Sequence, residues 1–202
     1  VGGRLVVAGG LGGDGVDLTS VEAYTPTGWT PLPPLPHAAF MATACVLNGR
    51  LYVMGGRLCN KLQVLEMSEE NEFTWTVKGD LPPAHLARIF IMTDDDGRLS
   101  ATSVAFEGRV LLMGGGRREE GHLQPEFNSS VSIYDPASDS WSAGPVFPDG
   151  SARPGAVFAT VLDGEINAIS HGGRWAYRNA AWIRLAGARS RKGSTVETVL
   201  LG

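Results

Sequence analysis

The amino-acid sequence predicts an all-β fold built from repeated antiparallel sheets, and three observations support this prediction. Short apolar runs alternate with turn residues along the whole chain, and no long amphipathic helical pattern occurs. A pattern of apolar run, turn, apolar run and double glycine recurs several times. The 202 residues also include 27 glycines and 12 prolines, which is the composition of short strands and tight turns rather than of a helical domain.

Each repeat begins with a predicted β-hairpin. The three full copies are ATACVLNGRLYVMGG, SATSVAFEGRVLLMGG and VFATVLDGEINAISHGG, and GRLVVAGG near the start of the chain is the second half of a fourth. Their turn pairs are Asn48-Gly49, Glu107-Gly108 and Asp163-Gly164. Asn-Gly and Asp-Gly are strong signals for a two-residue hairpin, because such turns need positive φ angles. The hairpins supply the first two strands of each repeat.

The remaining two strands follow each double glycine and carry one tryptophan in an equivalent place. The copies read SVEAYTPTGWTPLPPLP, LQVLEMSEENEFTWTV, SVSIYDPASDSWSAG and AYRNAAWIRLAG. The equivalent residues are Trp29, Trp75, Trp141 and Trp182. One tryptophan per repeat predicts a packing position that recurs between neighbouring sheets.

Four strands in roughly 50 residues, with a double glycine and a spaced tyrosine and tryptophan, resemble the kelch repeat of β-propellers. The resemblance covers essentially the whole chain, and VSIYDPASDSW is its most specific part. It implies four-stranded blades that pack radially, since a small sheet can bury both faces only against neighbours.

The repeats divide the chain into a blade remnant (1–36), a blade at 37–83, a blade at 84–148 with an inserted hairpin near 88–100, a blade at 149–194, and the first strand of a next or closing blade at 195–202. Because kelch rings resemble disks of about six blades, we expect four visible repeats that form part of a larger ring. The alternative is a four-bladed ring in which the last strand closes beside the first.

One end of the predicted blades collects candidate partner-binding residues. In an antiparallel meander, the loop after the double glycine and the connection into the next blade lie at the same end, and loops on a rigid scaffold often bind ligands. The candidates at this end are Arg57, Arg88, Arg117, Arg118, Arg153, Arg174, His37 and His85. Arginine suits carboxylates, and the resemblance to adaptor-type kelch propellers implies recognition of an acidic peptide. The alternative is that these residues are solvated loop charges balanced by nearby acids.

The sequence therefore favours a non-catalytic interaction module that binds a protein or acidic peptide through this end, as the substrate-recognition part of an adaptor. The alternative is the propeller domain of an enzyme acting on sugars or small molecules, of the oxidase, epimerase or specifier type. Fold alone does not decide between them.

No catalytic residue, cofactor or metal is predicted. The glycines Gly10, Gly12 and Gly15 form G-x-G-x-x-G, but a strand pattern follows them where a dinucleotide site requires a helix. The acidic run Asp94 to Asp96 lacks the alternating ligands of a calcium loop.

Charge and cysteine content exclude further classes of function. The net charge of −4 gives no general attraction to nucleic acid or to an anionic membrane, and no run approaches the roughly 18 apolar residues of a membrane helix. Two cysteines weakly favour a reducing compartment such as the cytoplasm. The oligomeric state and the identity of the partner are left open.

Overall fold

The computed structural model describes residues 3–57, 59–70, 72–83, 101–117, 126–127, 129–148, 157–170 and 172–185. These residues form seventeen strands in antiparallel sheets, and no α-helix occurs among them. The all-β prediction is confirmed. No helix of the described residues is long and apolar enough to cross a membrane.

The strands follow one another in four successive sheets, which we call blades 1 to 4. Blade 1 contains β1 (Val6–Ala8), β2 (Val21–Thr25) and β3 (Gly28–Leu32), and blade 2 contains β4 (Thr43–Leu47), β5 (Arg50–Met54), β6 (Lys61–Met67) and β7 (Phe73–Asp80). Blade 3 contains β8 (Ala101–Phe106), β9 (Arg109–Gly114), β12 (Val131–Asp135) and β13 (Ser140–Ala143). Between β9 and β12, the short strands β10 (Gly116–Arg117) and β11 (Glu126–Phe127) pair with each other in a separate two-stranded sheet. Blade 4 contains β14 (Phe158–Leu162), β15 (Glu165–Ser170), β16 (Gly173–Arg178) and β17 (Ala181–Leu185).

Each of these sheets lies within one of the four segments expected from the repeats. Blades 2 to 4 are four-stranded, and blade 1 has three strands. The inserted hairpin near 88–100 and the strand at 195–202 lie outside the described residues. The boundaries, the insertion and the larger ring stay predictions.

The three predicted hairpin turns are present and explain the turn sequences. Asn48, Glu107 and Asp163 have φ angles of 50°, 49° and 51°, and the glycine after each has a φ angle of 73° to 75°. The flanking strands pair in register across each turn. These left-handed conformations are the reason for glycine at the second turn position.

The first double glycine allows two backbones to approach closely. Gly9 has a φ of 72°, and a Cβ there would lie 2.1 Å from the carbonyl oxygen of Ala39. The same oxygen accepts a hydrogen bond of 2.8 Å from the amide of Gly10. Ala39 belongs to the connection into blade 2, so these glycines let that connection pack against blade 1.

The four tryptophans occupy equivalent places in the sheets, as predicted. Each lies opposite the corresponding residue of the third strand; the pairs are Tyr24 with Trp29, Leu65 with Trp75, Tyr134 with Trp141, and Tyr177 with Trp182. Trp75, Trp141 and Trp182 each pack into the apolar cluster shared with the preceding blade.

The core lies between the blades rather than within them. Three apolar clusters join blade 1 to blade 2, blade 2 to blade 3 and blade 3 to blade 4, and the first strands β4, β8 and β14 contact one another in succession. Each connection contributes at least one buried residue to these clusters, among them Leu35, Leu81 and Phe147. The amides of these three residues donate to the carbonyls just before β2, β6 and β12, at 2.7 to 2.8 Å. The connections are thereby fixed against both blades.

Candidate partner-binding face

The loop end of the blades is the end that holds the loops after the double glycines and the connections between blades. Among the eight predicted partner-binding residues, Arg57, Arg174 and His37 are described with their side chains, and Arg117 lies in β10. The other four, Arg88, Arg118, Arg153 and His85, lie outside the described residues.

Arg57 is engaged within the protein. Its Nη2 forms an ion pair with Asp17 Oδ1 and donates to the carbonyl of Gly15 at 3.1 Å, and its guanidinium lies 5.3 Å from the centroid of the Phe40 ring. The Asp17 side chain is 7% exposed and that of Arg57 is 27% exposed. Arg57 therefore joins a loop of blade 1 to blade 2, and Asp17 offsets the charge that it presents to a partner.

The glycine-rich loop at 10–18 folds back on itself. Gly12 donates to the carbonyl of Val16 at 2.8 Å, Gly15 donates to that of Gly12 at 2.9 Å, and Leu18 donates to that of Gly10 at 2.9 Å. The amides of the three motif glycines thus bond to carbonyls of the protein, and β2 follows the loop. This geometry differs from a phosphate-binding turn, in which such amides point at the ligand.

His37 is exposed on a backbone that Gln63 holds in place. The amide of His37 donates to Gln63 Oε1 at 2.8 Å, and Gln63 Nε2 donates to the carbonyl of His37 at 3.1 Å. Gln63 is fully buried. Gln63 was not predicted as a site residue, although a polar residue between the aliphatic residues of KLQVLEM was a visible signal.

Arg174 and Arg184 lie on opposite sides of blade 4. Arg174 pairs with Leu185 in register, whereas Arg184 pairs with Trp175, so their side chains alternate across the sheet. Arg184 stacks 5.7 Å from the Trp175 ring and donates to the carbonyl of Gly172 at 3.0 Å. Arg174 is exposed and has no ion-pair partner among the described residues. Of the arginine side chains that the structure describes among the candidates, that of Arg174 is the one open to a ligand.

Burial disfavours the ionised forms of Cys45 and Tyr134, two groups that could otherwise act as nucleophiles. Burial raises the pKa of the Cys45 thiol to about 11, although a hydrogen bond with Ser103 acts in the other direction. Burial, followed by the hydrogen bond that its hydroxyl donates to Asp139, raises the pKa of Tyr134. In the part of the chain that the structure describes, no three His, Cys, Asp or Glu side chains are grouped so as to hold a metal ion.

Comparison with known proteins agrees with the repeat architecture. The family model for the kelch motif matches residues 97–145. Kelch-like protein 35 of Mus musculus is 28% identical over 180 residues, which cover 85% of this chain and 25% of that protein. An F-box/kelch-repeat protein of Arabidopsis thaliana is 44% identical over 59 residues, 28% of this chain and 16% of that protein. Kelch-like protein 33 of Homo sapiens is 52% identical over 56 residues, 27% of this chain and 10% of that protein.

A solved structure of YjhT is similar in fold, with a TM-score of 0.50 and 21% identity over 68% of this chain and 36% of that chain. The chain spans a quarter or less of the length of the three curated relatives above. The motif match, the relatives and the succession of antiparallel sheets together support a kelch-repeat β-propeller architecture for this chain.

Proposed function

We propose that this chain is a non-catalytic interaction module that binds an acidic segment of a protein partner through the loop end of its blades, as the substrate-recognition part of an adaptor. The kelch relatives and the propeller fold support a protein-interaction role. The likeness to YjhT bears on the fold alone, and the enzymatic alternative stays a prediction.

The observation that carries the proposal is that an ion pair and hydrogen bonds join blades 1 and 2 at the loop end, while one guanidinium at the loop end of blade 4 stays open. The Arg57–Asp17 ion pair and the Gln63–His37 hydrogen bonds each join neighbouring blades at this end. Arg174, at the loop end of blade 4, is exposed on β16. A rigid surface loses little conformational entropy on binding, and arginine binds carboxylates through paired hydrogen bonds.

The test compares two arginines at opposite ends of the same strand. Peptides that bind the protein are selected from a displayed library of random sequence, and their dissociation constants are measured by calorimetry; we expect the selected peptides to be rich in aspartate and glutamate. We expect Arg174→Glu to weaken binding about tenfold, because it replaces an attractive contact with a repulsive one. Arg178→Glu, at the other end of β16, makes the same change of charge and should leave binding within about twofold.

Equal losses in the two variants would show that the net charge, not the loop end, governs binding. Selection of peptides without acidic residues would also contradict the proposal. Both variants are first compared with the parent protein in urea unfolding, so that a loss of folding is not mistaken for a loss of binding.

A further inference from the structure

The outer strand of blade 2, β7, is longer than the outer strands of the other blades. It spans eight residues, whereas β3, β13 and β17 span five, four and five residues. In its sheet β7 lies at the end opposite β4, the strand that contacts β8 of blade 3. No described strand pairs with the outer edge of β7. Its backbone groups are therefore available to a further strand.

The backbone hydrogen bonds show which groups of β7 point outward. The amide of Ser68 donates to the carbonyl of Glu72 at 2.8 Å across the turn between β6 and β7. In an antiparallel sheet, successive residues of a strand direct both of their backbone groups alternately toward one neighbour and the other. Counting from Glu72, the backbone groups of Phe73, Trp75 and Val77 point away from β6. Each of these residues offers an N–H and a C=O to a partner strand.

This stretch of edge lacks the features that usually protect an edge strand from pairing. In β3, for comparison, Pro31 lies at an outward position and has no N–H to donate. The residues from Phe73 to Val77 read FTWTV, with no proline, glycine or charge, and aromatic and β-branched residues favour strands. A shift of register between Val77 and Gly79 ends the regular stretch. The segment from Phe73 to Val77 is thus a regular, unprotected edge.

Opposite charges lie at the two ends of this segment, and they make it complementary to itself. Glu72 precedes the segment and Lys78 follows it, and both are exposed. In an antiparallel pairing of two β7 strands about Trp75, Glu72 of each copy lies opposite Lys78 of the other, and Thr74 lies opposite Thr76. Opposite charges and paired threonines are favourable neighbours across strands. A second copy of the chain therefore supplies a matching edge.

The direction of the backbone groups agrees with the same arrangement. Trp75 lies opposite Trp75 of the second copy, and Phe73 lies opposite Val77. The outward residues of one strand thus meet the outward residues of the other, which allows about six backbone hydrogen bonds between the copies. The charges and the hydrogen bonds independently select this register.

The Lys78 ammonium is loosely engaged within the chain and can take part in this contact. Its Nζ lies 3.7 Å from Asp139 Oδ2, and Asp139 also accepts a hydrogen bond from the Tyr134 hydroxyl. An ammonium has three N–H donors, so it can contact Glu72 of a second copy without leaving Asp139. Within the part of the chain that the structure describes, Glu72 forms no ion pair.

We propose that two copies of this chain associate through antiparallel pairing of their β7 edges, with the twofold axis at Trp75. The dimer is isologous, because each copy contributes the same strand. It is weak and reversible, because the interface is small and its hydrogen bonds replace hydrogen bonds to water. Since β7 belongs to blade 2 and Arg174 to blade 4, this inference does not depend on the proposed function.

The first test exchanges the charges at the two ends of the segment. Glu72→Lys and Lys78→Glu each place like charges opposite each other in a homodimer. The dissociation constant, measured by sedimentation equilibrium, should rise about tenfold in each variant. An equimolar mixture of the two variants restores attraction at both ends, so it should form dimers within about twofold of the parent affinity.

The matched controls make the same changes of charge away from β7. Glu22→Lys in blade 1 and Arg174→Glu in blade 4 both alter exposed residues. They should leave the dissociation constant within about twofold of the parent value, alone and when mixed. If the controls weaken the dimer as much as the β7 variants do, the net charge governs association and the proposal is wrong.

Amide hydrogen exchange followed by NMR tests the strand pairing itself. The amides of Thr74 and Thr76 bond to β6 and should be protected at every protein concentration. Those of Phe73, Trp75 and Val77 should gain protection, by about fivefold or more, only at concentrations at which dimers form. This alternation along the strand distinguishes backbone pairing from an association of side chains.

Val77→Pro removes one outward N–H from each copy and should weaken the dimer about tenfold. Urea unfolding of this variant and of the parent protein shows whether the sheet is intact, and the charge variants decide the matter if it is not.

Three results would overturn the proposal. The first is a parent protein that stays monomeric at millimolar concentration. The second is a dimer in which the exchange of the three outward amides does not change. The third is a mixture of Glu72→Lys and Lys78→Glu that stays monomeric where the parent protein forms dimers.

Discussion

Glu165 and Arg178 form an ion pair across two neighbouring strands of blade 4. Arg109 and Asp135 form the equivalent pair in blade 3, but there the basic residue lies on the second strand and the acidic residue on the third. The two pairs measure 3.3 Å and 3.9 Å between nitrogen and oxygen. Each pair joins the first residue of the second strand to the end of the third strand. Blade 2 has an equivalent pair, Arg50 with Glu66 at 3.0 Å. The shared requirement is opposite charge, since like charges facing each other across strands repel.

This exchange of charge leads to a prediction about strand pairing. Arg178→Glu places two carboxylates opposite each other and should lower the free energy of unfolding by about 0.5 to 1 kcal/mol. Adding Glu165→Arg should restore most of the loss, because it recreates the order found in blade 3. Urea unfolding of the two single variants and the double variant measures the coupling. Additive effects in the double variant would mean that the two side chains do not interact.

Removing one partner of the partly buried ion pair between Arg57 and Asp17 should cost more stability than removing an exposed arginine. Arg57→Ala leaves Asp17 buried without its partner and should lower the free energy of unfolding by about 3 kcal/mol. Arg174→Ala is the matched control, because that arginine is exposed on a strand end, and it should change stability by about 0.5 kcal/mol or less. If both variants unfold at the same urea concentration, Arg57 does not hold the two blades together.

Glu107 occupies a left-handed turn position for which Asn48 is better suited. Glutamate at a φ of 49° is strained, whereas asparagine tolerates this conformation through its short polar side chain. Glu107→Asn should therefore stabilise the protein by about 0.5 kcal/mol, and the reciprocal Asn48→Glu should destabilise it by a similar amount. Thermal unfolding followed by circular dichroism measures both changes. A fall in melting temperature in Glu107→Asn would contradict this account of the turn.

The raised pKa of Cys45 predicts a dependence of stability on alkaline pH. The folded protein keeps this thiol protonated up to a pKa of about 11, whereas the unfolded chain ionises near the ordinary value of 9.0. Above pH 9 the unfolded state binds fewer protons than the folded state, so the free energy of unfolding falls as pH rises toward 11. Cys45→Ala should show a shallower fall between pH 8 and 10.

The other described groups with raised pKa values, Tyr52, Cys59 and Tyr134, are present in both proteins. The difference between the two pH profiles therefore isolates the thiol. Parallel profiles would show that Cys45 titrates at its ordinary value in the folded protein.

Features set by neighbouring residues were predictable from sequence. The hairpins were predicted because Asn48-Gly49 and Asp163-Gly164 encode their own turn conformation. The common place of the tryptophans was predicted because each one follows the same order of double glycine, strand and turn in the sequence. The predicted open cation Arg174 lies exposed, and its role in binding stays a prediction.

Features that depend on contacts between blades were not predictable in this way. Arg57 and Arg174 looked alike in sequence, since each follows a double glycine, yet Asp17 lies beside Arg57 only because blades 1 and 2 pack together. Gln63 and the buried connection residue Leu35 gained their roles for the same reason. Turn and strand conformations are local properties, so the repeat, its hairpins and the common place of the tryptophans follow from neighbouring residues alone. Pairing of charges and burial of side chains join residues far apart in the chain, so the packing of the blades settles which loop groups are engaged within the protein and which stay open to a partner.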